Sequence, residues 1–410
     1  MPLATATSRP APRRSTAVLG RVSCCLYVLA LVAYVFNYFA SERYVMEYAP
    51  LVVPLKVVLS YVASTMGAVL LCSLVLDVAA HGLTKPRLIF IVVGSLVVMM
   101  IRRAMGGSFQ ALTFFWFVAA YPQGLSLETA LRAVWVPGLV LGLCVVLLSA
   151  LGLITNYASF YHDTLRLSFG FQNPNMASIK LSFFLLVWAF AHLPRWRPGY
   201  YPLMLGVALI INAFGDGQMA FFLVVLFLAG LFVLRESVVP EAPKRWLRRA
   251  LTFLARWGFL VMTVAFVVAV LVASRLGTEA LHAFSPSLTG RVQNWVDTYH
   301  EYGFVLWPRH LVLSRFYDNT YLYFVTFYGI IPDIAICALY LVFGRHVSSI
   351  EDTRTRDWVM LYLLVVLIHH TSESMGALIP TNLCILLMGH MLSRPQKAGA
   401  HGGAGDGAHR

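Results

Sequence analysis

The chain has 410 residues, 59% of them hydrophobic and 12% charged, with a formal net charge of +13. Soluble domains run near 45–50% apolar and about 25% charged, so the composition excludes an ordinary soluble domain and indicates an all-α polytopic membrane protein. The positive balance is explained by basic loops facing an acidic lipid surface, not by nucleic acid.

The first 17 residues, opening MPLATATSRPAPRRST, are polar and basic and read as a disordered cytoplasmic N-terminus. Residues 18–394 then form a single transmembrane domain, and residues 395–410 a disordered cytoplasmic tail. The apolar run from Val18 to Phe39 is too long for a signal-peptide core and lacks a small-residue cleavage site, so it reads as a retained first span. About twelve spans follow from runs near the ~20 residues a bilayer requires. They fall at 18–39, 53–77, 87–101, 107–121, 134–154, 175–193, 201–214, 217–234, 254–274, 319–343, 358–372 and 376–393. Cysteines 24, 25, 72, 144, 337 and 384 all lie in apolar runs, without CxxC or Cys/His spacing, so neither a disulfide framework nor a zinc site is expected.

Lysine and arginine set the orientation. With the N-terminus inside, the cytoplasmic loops are 81–87, 122–133, 193–199, 235–249 and 344–357, and all but 122–133 are basic, as is the tail. Loops 155–174 and 275–318 then lie outside. RRAMGG is the exception, because it carries Arg102 and Arg103 to the outer side, where they suit an anion unless the span count is off by one.

The outer loops hold the polar residues that look placed. In the long loop, Val292, Trp295, Val296 and Tyr299 recur at helical spacing, which predicts a short amphipathic helix lying on the membrane surface with Arg291 at its start. Asn173 with Pro174 suits a helix start, and Asp318 can cap the span after it. Arg291 bound to lipid phosphate, Tyr317, Tyr321, Tyr323 and Tyr328 as an aromatic belt, and Lys180 snorkelling outward are the structural readings. Asp333 lies deeper and is either functional or paired with a basic group.

Three segments nevertheless occur in order on one predicted side: FGFQNPNMAS (169–178), LTGRVQNW (288–295) and YDNTYLYFVTFYGII (317–331). In these motifs the chain resembles the Wzy-type oligosaccharide repeat-unit polymerases of the O-antigen ligase/polymerase superfamily. Glu373 followed by Asn382 fits a Glu-then-Asn pattern near the end of such proteins. The chain departs from relatives in three places. Asp318 stands where the related ligases carry histidine, Gln218 replaces a basic group in the turn GDGQ, and Asp333 stands where relatives usually have glycine.

The resemblance implies a GT-C-like bundle with one large outer loop late in the chain, in the cytoplasmic membrane of a bacterium. It implies that a growing glycan on undecaprenyl diphosphate is transferred to a sugar hydroxyl of a new lipid-linked unit. A chain-length regulator and a flippase are the partners implied. Arg291, Arg102 and Arg103 would meet the departing diphosphate, since arginine offers fixed, bidentate donors. Asp318 or Glu373 would take the proton of the acceptor hydroxyl. Asn173, Asn175 and Asn319 suit sugar hydroxyls or phosphate oxygens, and Tyr321 and Trp295 offer flat faces to sugar rings. No DxD-like pair lies on the outer side, so no metal or other cofactor is expected. A ligase of the same superfamily and a lipid-linked oligosaccharide flippase or transporter are the alternatives. Against the latter, the placed polar groups gather at one face rather than at the midplane.

Overall fold

The computed structural model describes residues 14–40, 52–105, 109–161, 164–171, 173–215, 217–276, 286–308, 317–373 and 378–394. The expectations for the extreme N-terminus, the tail, Gly106, Gly107, Gln172, Asp216 and segments 277–285 and 309–316 of the long loop lie outside the described residues.

The first half of the described chain holds α1 (Arg14–Ala40), α2 (Val52–His81), α3 (Lys85–Met105), α4 (Phe109–Ala119) and α5 (Leu127–Ala150). After the hairpin β1 (Ala158–Tyr161) and β2 (Thr164–Leu167) come α6 (Pro174–His192), α7 (Tyr200–Gly215), α8 (Gln218–Arg235), α9 (Glu241–Ala273) and α10 (Pro286–Tyr302). The last elements are α11 (Thr320–Tyr323), α12 (Ile330–Ser348), α13 (Thr353–His369) and α14 (Cys384–Ser393). By length and composition, six helical stretches among the described residues are able to cross a bilayer: Ser15–Phe39, Leu127–Ala150, Pro174–Arg195, Gln218–Arg235, Glu241–Ala273 and Ile330–Ser348. Exposed apolar stripes agree, such as Ile89, Val93, Leu96 and Met99 on α3 and Leu139, Val140, Leu143 and Leu147 on α5. Water does not tolerate such continuous apolar patches on a monomer, whereas lipid requires them. The chain is a multi-pass helical membrane protein.

Helices α6 and α13 form the centre. Phe183, Leu186, Val187 and Ala189 on α6, and Leu361, Tyr362, Val365 and Val366 on α13, are almost fully buried. Neighbouring helices are clasped by polar groups, which are the specific adhesive where lipid and side chain are equally apolar. The Ser23 hydroxyl donates to the Ser73 carbonyl (2.8 Å) and the Ser73 hydroxyl to the Ser23 carbonyl (3.0 Å), joining α1 to α2.

A buried ion pair ties α2, α3 and the end of α4. Arg87 Nη1 lies 2.5 Å from Asp77 Oδ2, and its Nε donates to the Ala119 carbonyl. Asp77 Oδ1 accepts from the Gln123 amide (3.0 Å) and faces His81 Nδ1 (2.9 Å). Removing one member of such a pair strands the other charge. Asp77→Ala is therefore expected to cost about 3–5 kcal/mol, read as a lower midpoint of thermal unfolding in detergent. The double change with Arg87→Met is expected to recover most of the loss.

The stretch 319–343 is not one continuous span. Helix α11 widens into a π turn, Phe324–Tyr328, and the helix breaks at Gly329, whose φ is +90°. A Cβ at Gly329 would stand 2.9 Å from the Trp307 carbonyl carbon, so that position needs glycine for both dihedral and space. The freed backbone is satisfied from outside the helix, with Ile330 N–H donating to the Val305 carbonyl (2.8 Å) and Ile331 N–H to the Leu306 carbonyl (3.2 Å).

The amphipathic helix exists as α10, but its apolar face does not lie on lipid. Trp295 and Val296 are buried, and α10 packs on α9, with Trp295 edge-on to Phe266 at 5.5 Å. Lys180 does not snorkel outward. It is 2% exposed, donates to the Tyr38 carbonyl (3.1 Å) and sits over the Tyr38 ring at 3.9 Å, a cation–π contact that repays part of its burial. Tyr317, Tyr321 and Tyr328 are core residues rather than a belt.

Candidate functional site

The site forms where the N-terminus of α6 meets the C-terminal end of α13. Each segment is fixed by a local rule. Asn173 caps α6, its Oδ1 accepting from the Met176 amide (2.8 Å), and Pro174 supplies the helical φ of the first turn. The end of α7 and the start of α8 pack onto this end. A Cβ on Gly215 or Gly217 would collide with the Ser178 side chain, so these two glycines allow the approach.

After His369 the central helix gives way to the polar residues His370, Thr371, Ser372 and Glu373, and this turn becomes a hub of backbone acceptors. The Thr320 amide donates to the His370 carbonyl (2.8 Å), and Asn319 Nδ2 to the Thr371 carbonyl (3.0 Å). The Thr320 hydroxyl donates to the Glu373 carbonyl (2.5 Å), and Arg291 Nη1 reaches the Ser372 carbonyl at 3.5 Å. Asn175 Nδ2 donates to Glu373 Oε1 (3.2 Å), so α6 orients the carboxyl from the other side.

Glu373 is the electrostatic centre. Burial pushes its carboxyl up to about 7; the Asn175 hydrogen bond opposes this, the neighbouring Asp318 charge adds to it, and the Arg291 charge opposes it. Arg291 and Asp318, expected with Glu373 as the chemical residues, thus both act on Glu373 although the three come from α10, the start of α11 and the turn after α13. Asp318 is exposed and, among the described residues, accepts no hydrogen bond, while its charge acts on Glu373. Among the described residues the Ser372 carbonyl is the hydrogen-bond partner of the Arg291 guanidinium, which leaves its remaining donors for a ligand. A carboxyl poised near neutrality beside an arginine can exchange a proton with a hydroxyl while the arginine holds an anion.

The other expected site residues are placed differently. Asn319, not Asp318, caps α11, its Oδ1 accepting from the Leu322 amide (3.0 Å). With its Nδ2 on Thr371, its side chain braces the turn and is not turned to a sugar. Tyr321 is fully buried; its hydroxyl donates to the Leu367 carbonyl (2.7 Å) and its ring stacks on Phe266 at 5.7 Å. Trp295 is likewise a core ring, so neither presents a face to a sugar. Arg102 and Arg103 are exposed at the end of α3 and, among the described residues, have no contact with the Glu373 cluster. Asn382 is buried, donating to the Tyr340 hydroxyl (2.9 Å), and does not meet Glu373. Asp333 is buried beside Cys337 (3.8 Å), with Oδ1 lacking a hydrogen-bond partner and no basic group paired to it among the described residues.

Sequence reasoning passed over Thr320 and the carbonyls of Thr371 and Ser372. The signal available was HHTSES itself, six residues without an aliphatic side chain directly after a strongly apolar span. No protein-family model, curated protein or solved structure matches the chain.

Proposed function

We propose that the protein polymerises lipid-linked oligosaccharide repeat units for a bacterial surface polysaccharide. The observation that carries this reading is the convergence of Arg291, Asp318 and Glu373 from three separate segments. In this reading Glu373 takes the proton of the acceptor sugar hydroxyl as that oxygen attacks the anomeric carbon of the growing glycan. The bond to undecaprenyl diphosphate breaks, and Arg291 stabilises the charge on the departing diphosphate. No metal enters, because the arginine supplies the positive charge. Asn175 orients the base, and Asp318 tunes it and meets sugar hydroxyls at the water boundary.

The proposed setting is a GT-C-like bundle of about twelve spans in the cytoplasmic membrane, with both termini inside and the Glu373 cluster on the outer face. Charge supports that orientation, since Arg195, Arg197, Arg235, Arg248, Arg249, Arg345 and Arg354 lie at the helix ends opposite the cluster. A chain-length regulator and a flippase supplying the repeat unit are the proposed partners.

The test is the length and leaflet of lipid-linked glycans in a strain lacking the protein. Single repeat units accumulating on the outer leaflet are expected. Single units held on the inner leaflet would instead indicate a flippase, and long chains still attached to lipid a ligase.

A further inference from the structure

Helix α9 carries a second chemistry at the end opposite the Glu373 cluster. One stripe runs along it at steps of three or four residues: Trp246, Arg249, Phe253, Arg256 with Trp257, Leu260, Val264, Val268 and Val272. Every member is exposed, Trp246 at 70%, Phe253 at 53% and Val272 at 54%. From Phe253 to Val272 the helix climbs about 29 Å at 1.5 Å per residue, which matches the ~30 Å hydrocarbon layer of a bilayer. Phe253 therefore stands at the boundary, with Arg249 at headgroup level and Arg256 one turn inside it, from where a long side chain leaning toward the helix N-terminus snorkels back to the headgroups; aromatic rings flank both, where tryptophan is favoured.

The arginines of this region are not equivalent. Arg248 is engaged by Asp357 (2.8 Å) and faces Glu241 at 3.7 Å. Arg256 gives only its Nε to Ser348 (3.2 Å), which leaves both terminal nitrogens. Among the described residues Arg249 has no protein partner. Arg249, Phe253 and Arg256 share one face at i, i+4 and i+7, around a shallow groove of about 380 Å³ also lined by Arg248, Thr252 and Trp257. Two guanidinium forks above an aromatic floor suit a phosphodiester, and the apolar stripe continuing from Trp257 suits the acyl chains of the same molecule.

We propose that this face of α9 is a binding site for an anionic phospholipid, its phosphate and acidic headgroup held by Arg249 and Arg256 and its chains laid along Leu260, Val264 and Val268. The site is independent of the polymerase reading, and the positive charge selects an acidic headgroup over a zwitterionic one.

The full chain, purified in detergent, is mixed with phosphatidylglycerol or with phosphatidylcholine of matched chains, and bound lipid is read by native mass spectrometry. Phosphatidylglycerol is expected to be retained in preference. Arg249→Gln with Arg256→Gln is expected to lose that preference by roughly fivefold per arginine, whereas Arg195→Gln with Arg197→Gln, at the same end of the bundle, keeps it. Arg249→Lys, which retains the charge without the fork, is expected to lose only part of it. Equal retention of the two lipids would overturn the proposal, as would unchanged preference in the Arg249/Arg256 variant. An equal loss in the Arg195/Arg197 variant would overturn it too, since attraction would then be diffuse.

Discussion

Arg291→Ala is expected to abolish extension of the glycan while leaving the amount of protein in the membrane unchanged. Among the described residues the guanidinium makes one long hydrogen bond, to the Ser372 carbonyl, so little of the described fold depends on it. Its charge acts on Glu373, however, and it is the one arginine brought into the cluster among the described residues. Loss of a preorganised charge stabiliser costs on the order of 10²–10³ in rate, enough to collapse a ladder of polymer to single units. Arg291→Lys is expected to recover only part, because a compact ammonium lacks the planar fork that grips two phosphate oxygens. Polymer length on a gel, with membrane protein level in parallel, reads the result. Normal long-chain polymer from Arg291→Ala would remove this residue from the mechanism.

The second large effect concerns Glu373. With its carboxyl near 7, it is protonated in acid and becomes a competent base as pH rises, so activity should climb through about pH 7. Glu373→Gln keeps the shape but not the base, and a loss on the order of 10²–10⁴ is expected, with the pH dependence flattened. The neighbours give signed tests. Asp318 raises the Glu373 carboxyl, so Asp318→Asn should shift the rising limb to lower pH while activity largely survives. Asn175 lowers it, so Asn175→Ala should shift the limb to higher pH. A purely structural role for Asn175 would reduce activity without moving the limb. Collapse of activity in Asp318→Asn would transfer the role of base to Asp318.

The helices were legible because long apolar runs separated by basic or Gly/Pro-containing loops admit few other structures. What failed was the direction of side chains. A bilayer and a protein core are both apolar, so periodicity alone could not tell that Trp295 and Val296 face the core rather than lipid. Lys180 resembled a snorkelling lysine, yet Tyr38, 142 positions away in sequence, supplies both a carbonyl and a ring. The break at Gly329 was hidden because the backbone groups that relieve it belong to Val305 and Leu306, a non-local pairing no local pattern announces. In the candidate site, the motifs mark segments that the fold brings together, but they do not show the saturation of their polar atoms. Asn319 and Tyr321 stand in the same motif as Asp318, and both are consumed by hydrogen bonds to α13 and the turn that follows it, leaving Asp318 facing outward.

The most direct test is reconstitution. The full chain in liposomes, given only undecaprenyl-diphosphate-linked repeat units, is expected to form a ladder of lipid-linked glycans and to release one undecaprenyl diphosphate for each unit added. Both signals should vanish together in Arg291→Ala. Repeat units that cross the bilayer without growing, or that stay single until a different terminal acceptor is supplied, would contradict polymerisation as the function of this chain.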